Sequence, residues 1–213
     1  MRIERITPKI TLYNCDCMEF MKSIPDKYYD LAIVDPPYRD NKYNQPTKDM
    51  RLNGGMKKWS NKPDDIYFKE LFRISRNQII WGANNFHLPN YKGFVVWEKL
   101  TISDAFTMSM AEIAYISEGL GTTSKIFKCS PQGKKEDPRI RPTQKPVKLY
   151  EWLLQHYAKP TDKIIDTHFG SCSIGIACHN FGCSLDACEI DKEYFDKAVE
   201  RLKTNFKELD LFR

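Results

Sequence analysis

The sequence predicts an α/β fold built around a mostly parallel sheet, and three stretches of strand character lead to this prediction. The run from Leu31 to Val34 has no polar alternation, which is typical of a parallel strand buried on both faces. The runs 163–166 and 184–189 each end at an acidic residue and enclose a stretch of helical spacing, as in a βαβ unit. Ligands bind outside the carboxyl ends of the strands in such sheets, so the acids there are candidate site residues.

Strands and helices alternate along most of the chain. Strands are predicted over residues 10–14, 31–34, 78–81, 93–97, 111–117, 163–166 and 184–189, and helices over 18–24, 66–76, 147–157 and 174–181. Asp16 is in the position of an N-cap for the first helix, and Glu112 interrupts the apolar pattern at the start of its strand. The residues after 191 are interpreted as a charged tail.

Length and composition predict one domain that spans residues 1–213. The chain is 41% hydrophobic, which is enough for a large single core. It has no apolar run of the roughly 18 residues that a membrane span needs and no signal-peptide pattern, so a cytoplasmic protein without a membrane partner is expected. The seven cysteines form no CxxC pair, which favours reduced buried thiols over a metal site.

The charge is unevenly distributed. The net charge is +5, and basic residues are concentrated in the stretches 39–62 and 125–148. Both stretches are rich in turn formers and are interpreted as loops beside the candidate site. Basic loops in that position predict a polyanionic substrate, and the alternative is the solvated surface of a lysine-rich protein.

Residues Asp35, Pro36, Pro37 and Tyr38 end the strand at 31–34. The two prolines form a stiff turn without backbone donors, so the Asp35 carboxylate and the Pro36 carbonyl are both hydrogen-bond acceptors. Tyr38 adds a flat aromatic face. This set fits an exocyclic amino group on a planar base, which has two protons to donate and a ring to stack. An ordinary Asp-Pro turn is the alternative.

A second candidate site follows the strand at 163–166. Asp166 ends that strand, and the loop after it leads into the predicted helix 174–181, a turn that suits nucleotide-type cofactors. Glu189 lies 23 positions after Asp166, a spacing that suits an acid at the ribose hydroxyls. The missing GxGxxG pattern argues against a dinucleotide. Any βαβ unit with a tight turn is the alternative.

The third motif is RPTQKP at residues 141–146, directly before the amphipathic run 147–157. Thr143, Gln144 and Lys145 are placed at the start of a helix, where they would meet a carboxylate, because helix N-termini favour anions. A linker that ends in a helix cap is the alternative.

Together these three motifs resemble those of the β-group of DNA amino-methyltransferases, which use S-adenosylmethionine. Residues 35–38 match the family's catalytic motif, residues 166–171 its cofactor loop, and residues 141–146 the segment usually written HPTQKP. Their order, with the catalytic motif first, is the permuted order of this group. The resemblance covers nearly the whole chain and implies a Rossmann-like fold with a mostly parallel seven-stranded sheet flanked by helices.

The resemblance also implies a role for each matched residue. The residues implied to hold and stack the target base are Asp35, Pro36, Pro37 and Tyr38. The implied cofactor contacts are Asp16, Asp35, Thr143, Gln144, Lys145, Asp166, Phe169, Gly170, Ser171, Cys172 and Glu189. Glu189 is expected at the ribose hydroxyls, and residues 143–145 at the cofactor carboxylate.

The Asp form of the catalytic motif is typical of family members that methylate adenine N6. An adenine in double-stranded DNA, flipped out of the duplex, is therefore the expected substrate. The alternatives are N4-cytosine in DNA, adenine in RNA, and a non-catalytic regulator that binds cofactor and DNA. The loop 39–62 and the short insert 99–141 are candidate recognition elements. A second copy of the chain and a cognate restriction endonuclease are further partners that the resemblance allows.

Two positions depart from the family pattern. Cys172 stands where relatives usually have glycine, so it would crowd the cofactor if that position requires a positive φ. Arg141 replaces the usual histidine and adds a positive charge near the cofactor or the phosphate backbone.

Overall fold

The computed structural model describes residues 1–38, 62–105, 108–131, 139–141 and 143–211, with side chains as far as residue 207. Within these ranges the chain forms nine strands and five α-helices. The strands are β1 (Arg2–Thr7), β2 (Ile10–Asn14), β3 (Tyr29–Val34), β4 (Ser75–Trp81), β5 (Phe94–Lys99), β6 (Ala111–Ile116), β7 (Lys125–Cys129), β8 (Lys163–Asp166) and β9 (Ser184–Glu189). The helices are α1 (Cys17–Lys22), α2 (Asp65–Ile74), α3 (Val147–Tyr157), α4 (Ser173–Phe181) and α5 (Lys192–Leu211).

All nine strands belong to one sheet, in the order β1-β2-β9-β8-β3-β4-β6-β5-β7. β1 is antiparallel to β2, and β6 is antiparallel to both β4 and β5. The other neighbouring pairs are parallel. The carboxyl ends of seven strands therefore lie along one edge of the sheet, together with the amino ends of β1 and β6.

The central strand β3 is buried on both faces, as its uninterrupted apolar run predicts. Leu31 and Ile33 pack into the core on one face, whereas Ala32 and Val34 pack into the core on the other. Helices α3, α4 and α5 cover the first face, and α1 and α2 cover the second. Alternate residues of a strand point to opposite faces, so a strand between two helical layers needs apolar residues at every position. The predicted α/β fold with a mostly parallel sheet is confirmed.

Three helices begin at an aspartate cap, and for α5 the cap is Asp191, which accepts from the N–H groups of Glu193 and Tyr194. Asp16 caps α1, as predicted, because its Oδ1 accepts a hydrogen bond from the N–H of Met18 at 2.7 Å. Asp64 caps α2 in the same way and accepts from two backbone N–H groups of the first turn. α2 ends at Ile74, two residues earlier than predicted, because Ser75 is extended and begins β4.

The sheet has nine strands where seven were predicted, and both additional strands lie at its edges. β1 has charged residues at three of its six positions, and none of the six is buried. β7 lies at the start of the basic stretch 125–148. The composition of this stretch predicts a loop, but its first five residues form a strand. Residues 125, 127 and 129 are half-buried, and the two between them are exposed. An edge strand with one neighbour needs few apolar residues, so its sequence pattern is weak.

The residues after 191 form α5 and not a charged tail. Phe195, Ala198, Val199 and Leu202 recur at helical spacing and are buried against the sheet. Charged residues on the opposite side of the helix outnumber this narrow apolar stripe, and they dominate the composition of the segment.

Most of the candidate recognition loop, residues 39–61, lies outside the described residues. Among the helices that are described, none combines the length and the apolar character needed to cross a membrane.

Candidate active site

Four acids singled out from the sequence lie at the carboxyl ends of four neighbouring strands. In sheet order they are Asp16 after β2, Glu189 on β9, Asp166 on β8 and Asp35 after β3. Neighbouring strands are about 4.8 Å apart, so this edge presents a row of carboxyl groups. The parallel strand order thus brings together residues from distant parts of the sequence.

The turn after β3 holds the two carboxylate oxygens of Asp35 in different environments. Lys145 Nζ lies 2.6 Å from Asp35 Oδ2. The Tyr38 hydroxyl donates a hydrogen bond to Asp35 Oδ1 at 2.5 Å. Burial, followed by the charge of Asp35, raises the pKa of Tyr38 well above its usual range, so this hydroxyl keeps its proton. In the same turn Pro36 is buried and Pro37 is half-buried.

Lys145 connects Asp35 to a further acid, Glu112. Lys145 Nζ lies 3.0 Å from Glu112 Oε2, and Lys99 Nζ lies 2.6 Å from Glu112 Oε1. Burial raises the pKa of Glu112, but the two lysines outweigh this effect and hold that pKa at about 2. Burial also lowers the pKa of Lys145, but the two carboxylates outweigh it and raise that pKa above its usual value. Together the four groups form a cluster of two cations and two anions.

Glu112 and Lys99 were missed in the sequence because Glu112 opens an antiparallel strand. The rule that directs attention to carboxyl ends of strands does not cover the amino end of β6. Since β6 runs against β4 and β5, its amino end lies at the same edge as their carboxyl ends. Two features of the sequence could have identified this pair: Glu112 is a single acid at the start of an apolar strand, and Lys99 ends the strand before it.

Asp166 and Glu189 are buried acids beside the predicted cofactor loop. Asp166 is 1% exposed, and its Oδ1 accepts from the N–H of His168 at 2.9 Å. Burial raises the pKa of Asp166 to about 8. The two oxygens of Glu189 accept separately from the N–H of Gly170 at 3.0 Å and the N–H of Asp191 at 2.9 Å. Burial raises the pKa of Glu189 as well, and each of its oxygens retains acceptor capacity.

The cofactor loop contains two residues in the left-handed conformation. Gly170 has a φ of 53° and Cys172 a φ of 57°. Cys172 is fully buried and directly precedes α4. The position where relatives usually have glycine therefore has a positive φ, and a side chain there costs roughly 1–2 kcal/mol.

A family model described as DNA methylase, of the N6/N4 type, matches residues 25–200. This range contains the catalytic turn, the RPTQKP segment and the cofactor loop with Glu189. The chain belongs to the N6/N4 DNA methylase family.

Individual relatives agree with this assignment. The methylase is 22% identical to Type II methyltransferase M.HinfI of Haemophilus influenzae, over 91% of this chain and 68% of the relative. The cytosine-N4-specific PvuII DNA methyltransferase has a TM-score of 0.64 at 14% identity, over 92% of this chain and 86% of that chain. The M1.HpyAVI–SAM complex has a TM-score of 0.56 at 21% identity, over 91% of this chain and 98% of that chain. At these identities the two structures establish the fold.

The RPTQKP segment of the methylase places its side chains in different environments. Lys145 is buried in the charged cluster and faces the catalytic turn. Gln144 is also buried, and its Oε1 accepts from a backbone N–H at 3.0 Å. Thr143 is exposed. Arg141 lies over the cofactor loop, with its Nη1 3.7 Å from Glu189 Oε2.

Two predicted contact residues, Phe169 and Ser171, are buried and attach the loop to α5. The ring of Phe169 lies 6.1 Å from the ring of Phe195. The Ser171 carbonyl accepts a hydrogen bond from Arg201 at 2.6 Å. Both contacts shape the cofactor loop from the side of the core.

A polar chain that the motifs did not include joins α2 to the same loop. The Tyr67 hydroxyl lies 2.6 Å from Thr167 Oγ1, which lies 3.0 Å from His168 Nδ1. Burial, followed by the charge of Arg141, lowers the pKa of His168 to about 4, so this imidazole is neutral at pH 7. The chain holds the loop against the second helical layer.

Proposed function

We propose that this methylase transfers a methyl group from S-adenosyl-L-methionine to the N6 amino group of an adenine in double-stranded DNA. The observation that carries the proposal is the position of Asp35 after β3, next to buried Asp166 on the neighbouring strand β8. An acceptor for a base amino group is thereby adjacent to acceptors for a cofactor. Holding two reactants side by side in a fixed geometry is what a direct transfer requires.

The edge of the sheet fits the cofactor in its chemistry. S-adenosyl-L-methionine is the cofactor, as predicted, and it supplies a methyl group on a positively charged sulfonium. Glu189 has an oxygen for each ribose hydroxyl, while Asp166 offers a carboxyl group to a cation. Asp16, at the carboxyl end of the strand next to β9, is an acceptor for the adenine amino group. Gly170 lies in the loop after Asp166, where its N–H donates to Glu189 and an added Cβ atom would collide with Arg141.

The catalytic turn binds the target amino group in this proposal. Asp35 and the Pro36 carbonyl each accept one of its protons, which draws the nitrogen lone pair out of conjugation with the ring. Tyr38 stacks on the base, and such stacking contributes roughly 1–3 kcal/mol. The base leaves the duplex at a cost of a few kcal/mol. Transfer is direct, so none of the cysteines acts as a nucleophile.

Adenine is favoured over cytosine by Asp35, because the Asp form of this motif is typical of N6-adenine enzymes in the group that the sequence resembles. N4-cytosine is the second candidate, since the cytosine-N4-specific PvuII enzyme shares the fold. Both bases present an exocyclic amino group to the same pair of acceptors, so the mechanism is common to the two candidates.

Double-stranded DNA is the polyanion that we assign to the basic stretches. Lys62 lies before α2, where its Nζ is 5.6 Å from the centre of the Phe86 ring. Lys125 and Lys128 lie on the edge strand β7. The loop 39–62 and the insert 99–141 remain the predicted recognition elements, and a homodimer and a cognate restriction endonuclease remain predicted partners.

Nucleoside mass spectrometry on unmethylated duplex DNA, incubated with the protein and S-adenosyl-L-methionine, tests the proposal. We expect N6-methyladenine from the wild-type protein and none from Asp35→Ala or the shape-matched Asp35→Asn. Asp26→Ala is the control, because Asp26 is exposed and precedes β3 at the opposite edge of the sheet. N4-methylcytosine would overturn the choice of base, and methylation of RNA alone would overturn the choice of nucleic acid.

A further inference from the structure

We propose that Glu112 and Lys99 are positioning residues of the methyl transfer. They hold Lys145 against one oxygen of Asp35 and leave the other oxygen for the target amino group. This inference rests on the proposed function and deepens it, since it assigns separate tasks to the two oxygens of Asp35.

The contacts form one continuous path across three strands and the RPTQKP segment. Lys99 Nζ binds Glu112 Oε1, Lys145 Nζ binds Glu112 Oε2, and the same Nζ binds Asp35 Oδ2, at 2.6, 3.0 and 2.6 Å. Each of these carboxylate oxygens takes one lysine. Lys145 is therefore held from two sides and cannot bridge both oxygens of Asp35 without leaving Glu112.

Burial makes this balance of charges important. The side chains of Lys145 and Lys99 are only 4% and 8% exposed. Buried charges are costly unless they are paired, and removal of one partner leaves an uncompensated charge. Lys99 supports the active site from a distance, because it pairs with Glu112, the second carboxylate that binds Lys145.

Each of the two lysines also contacts the ring of a tryptophan. Lys145 Nζ lies 5.4 Å from the centre of the Trp81 ring, and Lys99 Nζ lies 5.1 Å from the centre of the Trp97 ring. The two rings meet edge to face, with 6.5 Å between their centroids. Cation–π contacts of this kind favour one position of each ammonium group.

The oxygen of Asp35 that is assigned to the target amino group is Oδ1, and in the structure it contacts Tyr38. The Tyr38 hydroxyl donates to Asp35 Oδ1 at 2.5 Å, and Lys145 Nζ lies 3.2 Å from that hydroxyl. The target amino group is also a donor, so it takes the position of the hydroxyl at Oδ1 when the base enters. In the absence of Glu112, Lys145 is free to move to Oδ1 and compete with the amino group.

Single-turnover kinetics of Glu112→Gln and Lys99→Met, with saturating cofactor and DNA, test this role. Misplacement of a catalytic group by about 1 Å costs roughly 100-fold in rate, so we expect a loss of that order in both variants. The dissociation constant for S-adenosyl-L-methionine should stay within about threefold of wild type, since neither residue lies at the cofactor loop. Glu98→Gln is the matched control, because Glu98 precedes Lys99 and pairs with Lys128 on the exposed surface at 2.9 Å.

A double variant distinguishes positioning from a general loss of stability. If Lys99 acts through Glu112, the variant Lys99→Met/Glu112→Gln should be no slower than Glu112→Gln alone. Lys99→Arg should restore the rate that Lys99→Met loses, and this pair decides the matter even if Glu112→Gln does not fold.

A wild-type rate in Glu112→Gln, or a rate in Lys99→Arg as low as in Lys99→Met, would overturn the inference. An equal loss of cofactor binding and rate in the single variants would also overturn it. Failure of the wild-type protein to methylate any base would overturn the proposed function together with the inference. Active wild-type protein with unaffected variants would overturn the inference alone.

Discussion

The ring of Tyr38 lies directly against the backbone of Gly82, at a distance that excludes any side chain there. A Cβ atom added at Gly82 would lie 2.2 Å from Tyr38 Cε1. Gly82 also has a φ of 71°, so both its conformation and its neighbour require glycine. The end of β4 thereby determines where the aromatic ring of the catalytic turn can lie.

Gly82→Ala should therefore displace Tyr38 and slow methylation. Gly182→Ala is the matched control, since Gly182 is also in the left-handed region, with a φ of 90°, but an added Cβ would meet no described atom within 4 Å. We expect the control to lose about 1–2 kcal/mol in the free energy of unfolding and Gly82→Ala to lose at least about 1 kcal/mol more. Urea denaturation measures this difference. The additional loss of stability caused by Gly82→Ala should disappear when Tyr38 is also replaced by alanine. If this additional loss remained, the steric explanation would be wrong.

Tyr38→Phe and Tyr38→Ala separate the ring from the hydroxyl. The hydroxyl occupies Asp35 Oδ1, which the target amino group needs, whereas the ring stacks on the base. We expect the phenylalanine variant to keep its rate within about threefold and the alanine variant to lose about 10- to 100-fold, as expected for a lost stacking contact. The measurement is methyl transfer under single-turnover conditions. Equal loss in both variants would show that the hydroxyl itself is required.

Cofactor binding should release a proton and strengthen as the pH rises. The pKa of Asp166 is about 8, so at pH 7 the group is mostly protonated, and a cationic cofactor favours its ionised form. Affinity should rise by up to roughly tenfold per pH unit below pH 8 and level off above it. Calorimetric titrations in buffers of different ionisation enthalpy count the released proton. The amino group of the cofactor can also titrate, so Asp166→Asn is the control. An unchanged pH dependence of cofactor affinity in this variant would contradict the assignment of the released proton to Asp166.

Asp166 should also weaken the fold at high pH. Its folded pKa is raised from 3.8 to about 8, so within this range the folded state binds more protons than the unfolded state. The contribution of this group to the free energy of unfolding therefore falls as the pH rises through that range. Asp166→Asn should be more stable than wild type at pH 8, with a smaller difference at pH 4. Urea denaturation at both pH values tests this, and a variant less stable at pH 8 would refute it.

Cys172 should tolerate glycine better than alanine. Both replacements remove the buried thiol, but alanine keeps the strain of a positive φ, so Cys172→Ala should be less stable than Cys172→Gly by about 1 kcal/mol. Cys178, in the middle of α4, is the control position. Glycine is less favourable than alanine inside a helix, so Cys178→Gly should be less stable than Cys178→Ala by about 1 kcal/mol. Thermal or urea denaturation of the four variants shows which of glycine and alanine is more stable at each position. If the same residue is more stable at both positions, the explanation is wrong.

The strands that carry the site could be predicted because their signals are local. The run before Asp35 is apolar at every position and the two residues before Asp166 are apolar, since two helical layers cover them. The cap at Asp16 is equally local. β7 and α5 could not be recognised in the same way, because an edge strand and a helix with one narrow apolar stripe leave most of their residues to the solvent.

The sequence by itself determined the order of the three motifs and the acids Asp35, Asp166 and Glu189, because each ends a strand and its chemistry is visible in neighbouring residues. Only the tertiary structure decided that Lys145 faces Asp35 and shares Glu112 with Lys99. Those contacts depend on β6 running antiparallel between β4 and β5. Strand order and direction are set by packing across the whole sheet, and no local pattern of residues encodes them.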